Sequence, residues 1–260
     1  MTLSRLMAGA GRWSGLVLWL LFLCLGRPAL AAGSDGPDIS AMRFVVVRSS
    51  DAGCEPTCPE WISAEGDIKA NTPQLLKKTL QQLDGRKLPV VVFSSGGDSD
   101  AAMMLGRLIR RSALGVVVGR TWFDGCRPEE PDCKANDGKG ARFLGRAISA
   151  GGYCASECTL MLAGGVRRLV ATDAIVGVRQ AASSRKLSTY LKEMGVDSSL
   201  SDAMQKAPAG GLDPLFSQQM LKMSLITGAG GPELLTAGSV CAAAPAADNC
   251  RVFTVLDLKQ

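Results

Sequence analysis

Ser156 sits between Cys154 and Cys158, in a run that opens with Gly151-Gly152 and closes with Ala163-Gly164-Gly165. Upstream, Ser95-Gly96-Gly97 follows a continuous apolar stretch. A hydroxyl at a helix start, facing backbone N–H groups bared by a diglycine turn, is the constellation for acyl chemistry. The hydroxyl attacks and the amides hold the oxyanion. Taken singly, a serine there caps a helix and a glycine pair makes a tight turn. Among the 260 residues there is no histidine. That removes every Ser-His-Asp triad, Cys-His dyad and His-ligated zinc site.

The elements that must position these residues read as alternating strands and helices. Arg43 to Val47 and Trp61 to Ala64, with Ile68, are β-rich. Thr72-Pro73 opens a helix with Leu76, Leu80 and Leu83 at helical spacing. Pro89 to Phe93 has the unbroken apolar character of a parallel strand covered on both faces. After Gly97, a helix is expected with Ala101, Met104, Leu105, Leu108 and Ile109 on its apolar face. Leu114 to Gly119 is the next strand, and 121–141 reads as a long polar loop. A helix begins near Ser156, strands follow at Arg168–Val170 and Ala174–Val178, and the final third is polar and helical before a last β run from Val252 to Leu256. The pattern predicts an α/β fold with right-handed crossovers.

Composition narrows the classes of function. A hydrophobic content of 47% with 20% charge supports a packed core and excludes a disordered chain. Only 5% of residues are aromatic, too few for a surface that stacks single-stranded nucleic acid. Arg5 and Arg12 precede an apolar run from Leu16 to Leu25, and Ala29-Leu30-Ala31 supplies small residues for cleavage. The run is too short to span a bilayer, so residues 1–31 read as an export signal and 32–41 as a linker. Cleavage removes Arg5, Arg12 and Arg27 and no acid. The remainder holds 26 basic against 24 acidic residues, a balance that points to no nucleic-acid or membrane partner.

It also leaves eight cysteines, in near-neighbour pairs: Cys54 with Cys58, Cys126 with Cys133, Cys154 with Cys158, and Cys241 with Cys250. In an exported chain, disulfides are favoured over metal, with local pairing the simplest connectivity. No Cys-x-x-Cys occurs, Asp98, Asp100 and Asp137 follow no calcium-loop spacing, and neither metal nor cofactor is expected.

In order and spacing, Ser95-Gly96-Gly97, then Ala155-Ser156 opening a helix that ends in Ala-Gly-Gly, then Arg168 and Ala174–Val178, resembles the Clp protease proteolytic subunit and crotonase superfamily over about residues 60–180. Exported Clp-like proteins are the nearest in pattern, with signal peptide peptidase A more distant. The resemblance implies a Clp/crotonase-type spiral of ββα units over 42–182, with 183–260 as a helical C-terminal extension. It implies a periplasmic or secreted peptidase-like protein, built into trimers or larger rings, acting on a peptide or protein. It puts Ser156 at the nucleophile position and the amides of Gly96, Gly97 and Glu157 around the oxyanion hole.

Where the Clp-type triad has its histidine base, this chain has Arg179, which stays protonated and cannot accept the serine proton. Three readings of Ser156 remain open. One is a Ser-Lys dyad, with Lys206 in the best relative position and Lys186 and Lys192 as alternatives. Another is a non-catalytic protein that keeps the cleft to bind a peptide or serves as a scaffold. The third is a serine that only caps a helix.

Overall fold

A computed structural model describes residues 40–130 and 143–252. The export signal expected over 1–31, the linker up to residue 39, Cys133, Asp137 and the β run beyond Val252 lie outside those residues. Ser40, expected in the linker, pairs with the start of the fold, the Asp67 amide donating to its carbonyl at 2.7 Å.

The fold is mixed α/β around a mostly parallel sheet. In chain order the strands are β1 (Arg43–Ser49), β2 (Thr57–Glu65), β3 (Val90–Phe93), β4 (Val116–Val118), β5 (Arg120–Asp124), β6 (Phe143–Ile148), β7 (Tyr153–Ala155), β8 (Arg168–Val170), β9 (Ile175–Val178), β10 (Asp213–Pro214), β11 (Gly228–Ala229) and β12 (Cys250–Val252). The helices are α1 (Thr72–Gln82), α2 (Ser99–Arg111), α3 (Cys158–Ala163), α4 (Arg185–Met194), α5 (Ser199–Lys206), α6 (Ser217–Lys222) and α7 (Glu233–Thr236). Among the described residues the main sheet runs β11-β8-β4-β3-β2-β1-β6-β5, with β12 added to β2. A smaller sheet, β10-β9-β7, meets the end of β3 through a bridge between Ser94 and Cys154.

Valines explain the centre of the main sheet. Val90 lies opposite Val116 and Val92 opposite Val118, and their side chains join α1, α2 and α3 in the larger core. Val91 and Val117, one residue out of phase, pack with Val47, Trp61 and Leu169 on the other face. Strand side chains alternate between faces, so a continuous apolar run is what a sheet covered on both sides requires. The Trp61 indole N–H, buried on that second face, donates to the Thr121 hydroxyl at 3.1 Å.

Helix ends follow their local chemistry. Pro73 lies in the first turn of α1. Asp98 caps α2, its carboxylate accepting from the Ala101 amide at 2.7 Å, while Arg110 and Arg111 complement the opposite end.

The structure differs from expectation in two places. Residues 121–124, expected at the start of a loop, belong to β5, which pairs antiparallel with β6, since Trp122 and Phe123 give it β character. On α2, Met103 is buried and Met104 is 43% exposed, because the helix packs between α1 and α3 through Ala101, Ala102, Leu105 and Ile109.

Three disulfides join the expected neighbours: Cys54–Cys58, Cys154–Cys158 and Cys241–Cys250. Cys126 is also oxidised.

Candidate functional site

The chain leaves β7, turns through Ser156 and Glu157, and enters α3 at Cys158. Ser156 has a φ of 54°, the left-handed region that costs a non-glycine residue of order 1 kcal/mol or more. Three contacts hold it there. Its amide donates to the Gly177 carbonyl of β9 at 2.9 Å, its carbonyl accepts from the Thr159 hydroxyl at 2.7 Å, and the Cys154–Cys158 disulfide brackets it. The turn leaves the serine outside both the strand and the helix, though still buried. It is 9% exposed.

α3 is only six residues long and would not persist alone. Its side chains are all buried, and its carbonyls are gathered from outside. The Tyr190 hydroxyl donates to the Leu160 carbonyl, and the Arg110 guanidinium to the carbonyls of Ala163, Gly164 and Gly165. Burial raises the Tyr190 phenol far above its ordinary range, which keeps it a neutral donor.

The diglycine corner lies against the serine. Gly96 and Gly97 have φ values of 104° and 136°, closed to ordinary side chains. A Cβ on Gly96 would fall 2.9 Å from the Ser156 Cβ and 2.8 Å from the Ala155 carbonyl oxygen. One on Gly97 would be driven into the Ile68 carbonyl. Only glycine lets the backbone come this close.

Two of the three amides expected to line an oxyanion hole already have acceptors. The Gly96 N–H donates to the Ser94 hydroxyl at 3.2 Å. The Gly97 N–H donates to Oε2 of Glu157 at 3.1 Å, and the Ser99 hydroxyl donates to Oε1 of the same carboxylate at 3.2 Å. Nearby, the Ser95 hydroxyl donates to Asp67, which pairs with Lys69. Glu157 was singled out in the sequence for its amide, whereas its side chain holds the corner. An acid directly after the serine was the available signal.

The structure brings Ser156, Gly96, Gly97 and Glu157 together and does not bring the lysines to them. Lys206 is exposed at the end of α5, and Lys192 is exposed on α4. Lys186 is exposed and ion-paired with Asp100 at 3.0 Å. None of the three hydrogen-bonds Ser156. Arg179, half-buried, continues β9 two residues beyond Gly177.

A buried acid beside a polar cavity also escaped the sequence reading. Glu65, at the end of β2, is 8% exposed and faces a polar cavity of about 250 Å³ lined by Arg43, Arg120, Thr121 and Trp122. Burial raises its pKa, opposed by the Thr121 amide at 2.8 Å and by Arg43, Arg120 and the Ser63 hydroxyl. The folded state therefore holds this proton more tightly than the unfolded chain. That stabilisation is complete below the ordinary glutamate pKa and is lost as pH rises through the raised folded value. Glu65→Gln is expected to abolish this contribution, so wild type should lose melting temperature relative to the variant as pH rises above the ordinary glutamate range. A constant difference across that rise would show that Glu65 titrates normally.

Among the described residues, no three His, Cys, Asp or Glu side chains gather as metal ligands, and no helix is long and apolar enough to cross a membrane.

No protein-family model matches the chain, and no curated protein matches it. Solved structures do. The chain is similar to a membrane protease from Pyrococcus horikoshii specific for a stomatin homolog, at 14% identity and TM-score 0.41, over 65% of this chain and 71% of that one. It is similar to ClpP1 from Listeria monocytogenes at 12% identity and TM-score 0.41, over 64% and 87% of the two chains. For the ClpP protease catalytic domain from Plasmodium falciparum the values are 12% and 0.42, over 66% and 84%. The similarity is one of fold.

Proposed function

We propose that this chain is an exported protein of the Clp/crotonase type that binds an extended peptide at the corner formed by Ser156 and Gly97 and does not hydrolyse it. The observation that carries this reading is the Glu157 carboxylate on the Gly97 amide. A preorganised oxyanion donor is worth about 2.7–4 kcal/mol. A carboxylate about 4 Å from the developing oxyanion costs about 4 kcal/mol at an effective dielectric near 20, so it cancels that gain. The chain has no histidine, and among the described residues no lysine hydrogen-bonds Ser156 to take the hydroxyl proton.

Binding needs neither. The Gly96–Gly97 segment is bonded to Ile68 along one side, which leaves its other side for a peptide strand to approach. Disulfides at three pairs support export, since cytosolic thiols are kept reduced. Ile175 and Phe216, 52% and 72% exposed beside one another where β9 meets β10, support self-association.

The φ of 54° at Ser156 favours a second reading, in which Glu157 swings away and Lys206 approaches to make a Ser-Lys hydrolase. A fluorophosphonate probe separates the two. Wild type is expected to label no faster than Ser156→Ala. Labelling that Ser156→Ala abolishes would overturn the binding reading, and its further loss in Lys206→Ala would assign the base.

A further inference from the structure

The way Glu157 is held says what should replace it. Its two oxygens are taken by separate donors, the Gly97 N–H at 3.1 Å and the Ser99 hydroxyl at 3.2 Å. This is a fork for a planar two-oxygen anion. The donors and the acid come from segments nearly sixty residues apart, so the contact is not a local helix cap; Asp98 already caps α2.

The charges beside the fork are unbalanced. Glu157 is half-buried and makes no ion pair among the described residues. Arg179 makes no ion pair or hydrogen bond among them, and it extends the strand whose Gly177 carbonyl receives the Ser156 amide. An acid without a cation thus follows Ser156 directly, and a permanent cation without an acid lies two residues beyond the Gly177 that receives the Ser156 amide. A neutral ligand would have to displace a charged acceptor from two donors and offer weaker hydrogen bonds in return. A carboxylate restores both bonds, and Arg179 supplies the charge interaction that Glu157 does not make.

We infer that Glu157 is a resident plug and that the ligand of this corner bears a carboxylate, which takes its place on the Gly97 amide and the Ser99 hydroxyl with Arg179 as counter-charge. This rests on the peptide-binding reading and names the ligand class of that same site. The carboxylate could be a peptide C-terminus or an acidic side chain, and the fork accepts either.

The test is calorimetric titration with three probes: N-acetyl tetra-alanine as the free acid, the same peptide as its amide, and an amide carrying one interior aspartate. Glu157→Ala is expected to bind an acid-bearing probe about tenfold more tightly than wild type, a gain that Arg179→Gln or Ser99→Ala in that background removes. The neutral amide should gain nothing. Whichever acidic probe responds identifies the source of the carboxylate. Equal tightening of all three probes would show that Glu157 blocks the corner by bulk alone, overturning the carboxylate inference and leaving the binding reading intact. No binding of any probe by any variant, each melting within a few degrees of wild type, would overturn both. Should Glu157→Ala fail to fold, Glu157→Gln keeps the side chain's bulk without its charge and is expected to bind the acid-bearing probe more tightly than wild type; no gain there would overturn the inference.

Discussion

Gly164→Ala is expected to destabilise the protein by about 3 kcal/mol or more, the upper end for overpacking. That is a drop of roughly 6–12 °C in melting temperature for a domain of this size. Gly164 follows α3 with a φ of −67°, so alanine meets no backbone strain there. The cost is purely one of contact. A Cβ would be forced into the backbone of Gly106, where α2 crosses α3. Gly106 cannot yield, because its own face is closed by the Tyr190 hydroxyl and the Leu160 carbonyl. Two helix backbones touch at this point, and no side-chain rotation can relieve the clash. Gly195→Ala is the comparison. It has a φ of 62° but open space around it, so it should lose only about 1 kcal/mol to backbone strain. Thermal unfolding followed by circular dichroism measures both. Equal losses would mean that α2 and α3 can slide apart, and that α3 is not the rigid seat for Ser156 that its packing indicates.

Arg168→Met should cost about 3 kcal/mol, because it removes three hydrogen bonds of a charged donor and leaves the Leu225 and Ser224 carbonyls without one, while the Gly165 carbonyl keeps the Arg110 guanidinium. The guanidinium donates to Leu225 at 3.0 Å, to Gly165 at 3.0 Å and to Ser224 at 2.8 Å, and the residue is 7% exposed. It ties the end of α3 to the segment that leads into β11. Burial, and then the neighbouring Arg110, lower its proton affinity, opposed by Tyr190. Methionine fills similar volume and offers no donor. Arg168→Lys should recover less than half the loss, since one ammonium cannot span three divergent acceptors. Denaturant titration reads the difference. Full recovery by lysine would show that charge, and not the planar fork, is what this position supplies.

Legibility varied with the range of the interaction. The valine run of β3 and the proline start of α1 follow from local preference and periodicity, and both form as read. The cysteine pairing was equally local, with three or eight residues between partners. β5 was not legible, because its aromatic pair lies in a polar context that pairing with β6 overrides. The exposure of Met104 was missed because helical spacing gives a stripe but not its centre. Which of two adjacent methionines goes inward depends on where α1 and α3 lie.

By itself the sequence determined that no histidine could serve Ser156, that the serine stands between two cysteines that can close on each other, and that a diglycine corner ends a buried strand. Residue types and short spacings carry those facts. Only the tertiary structure decided that the corner is occupied from within, that Lys206 stays in solvent, and that Arg179 lies along the strand beside the serine. The reason is physical. A carboxylate finds an amide nearly sixty residues away only when two sheets and two helices have packed, and no local preference of Glu157 or Gly97 encodes that meeting.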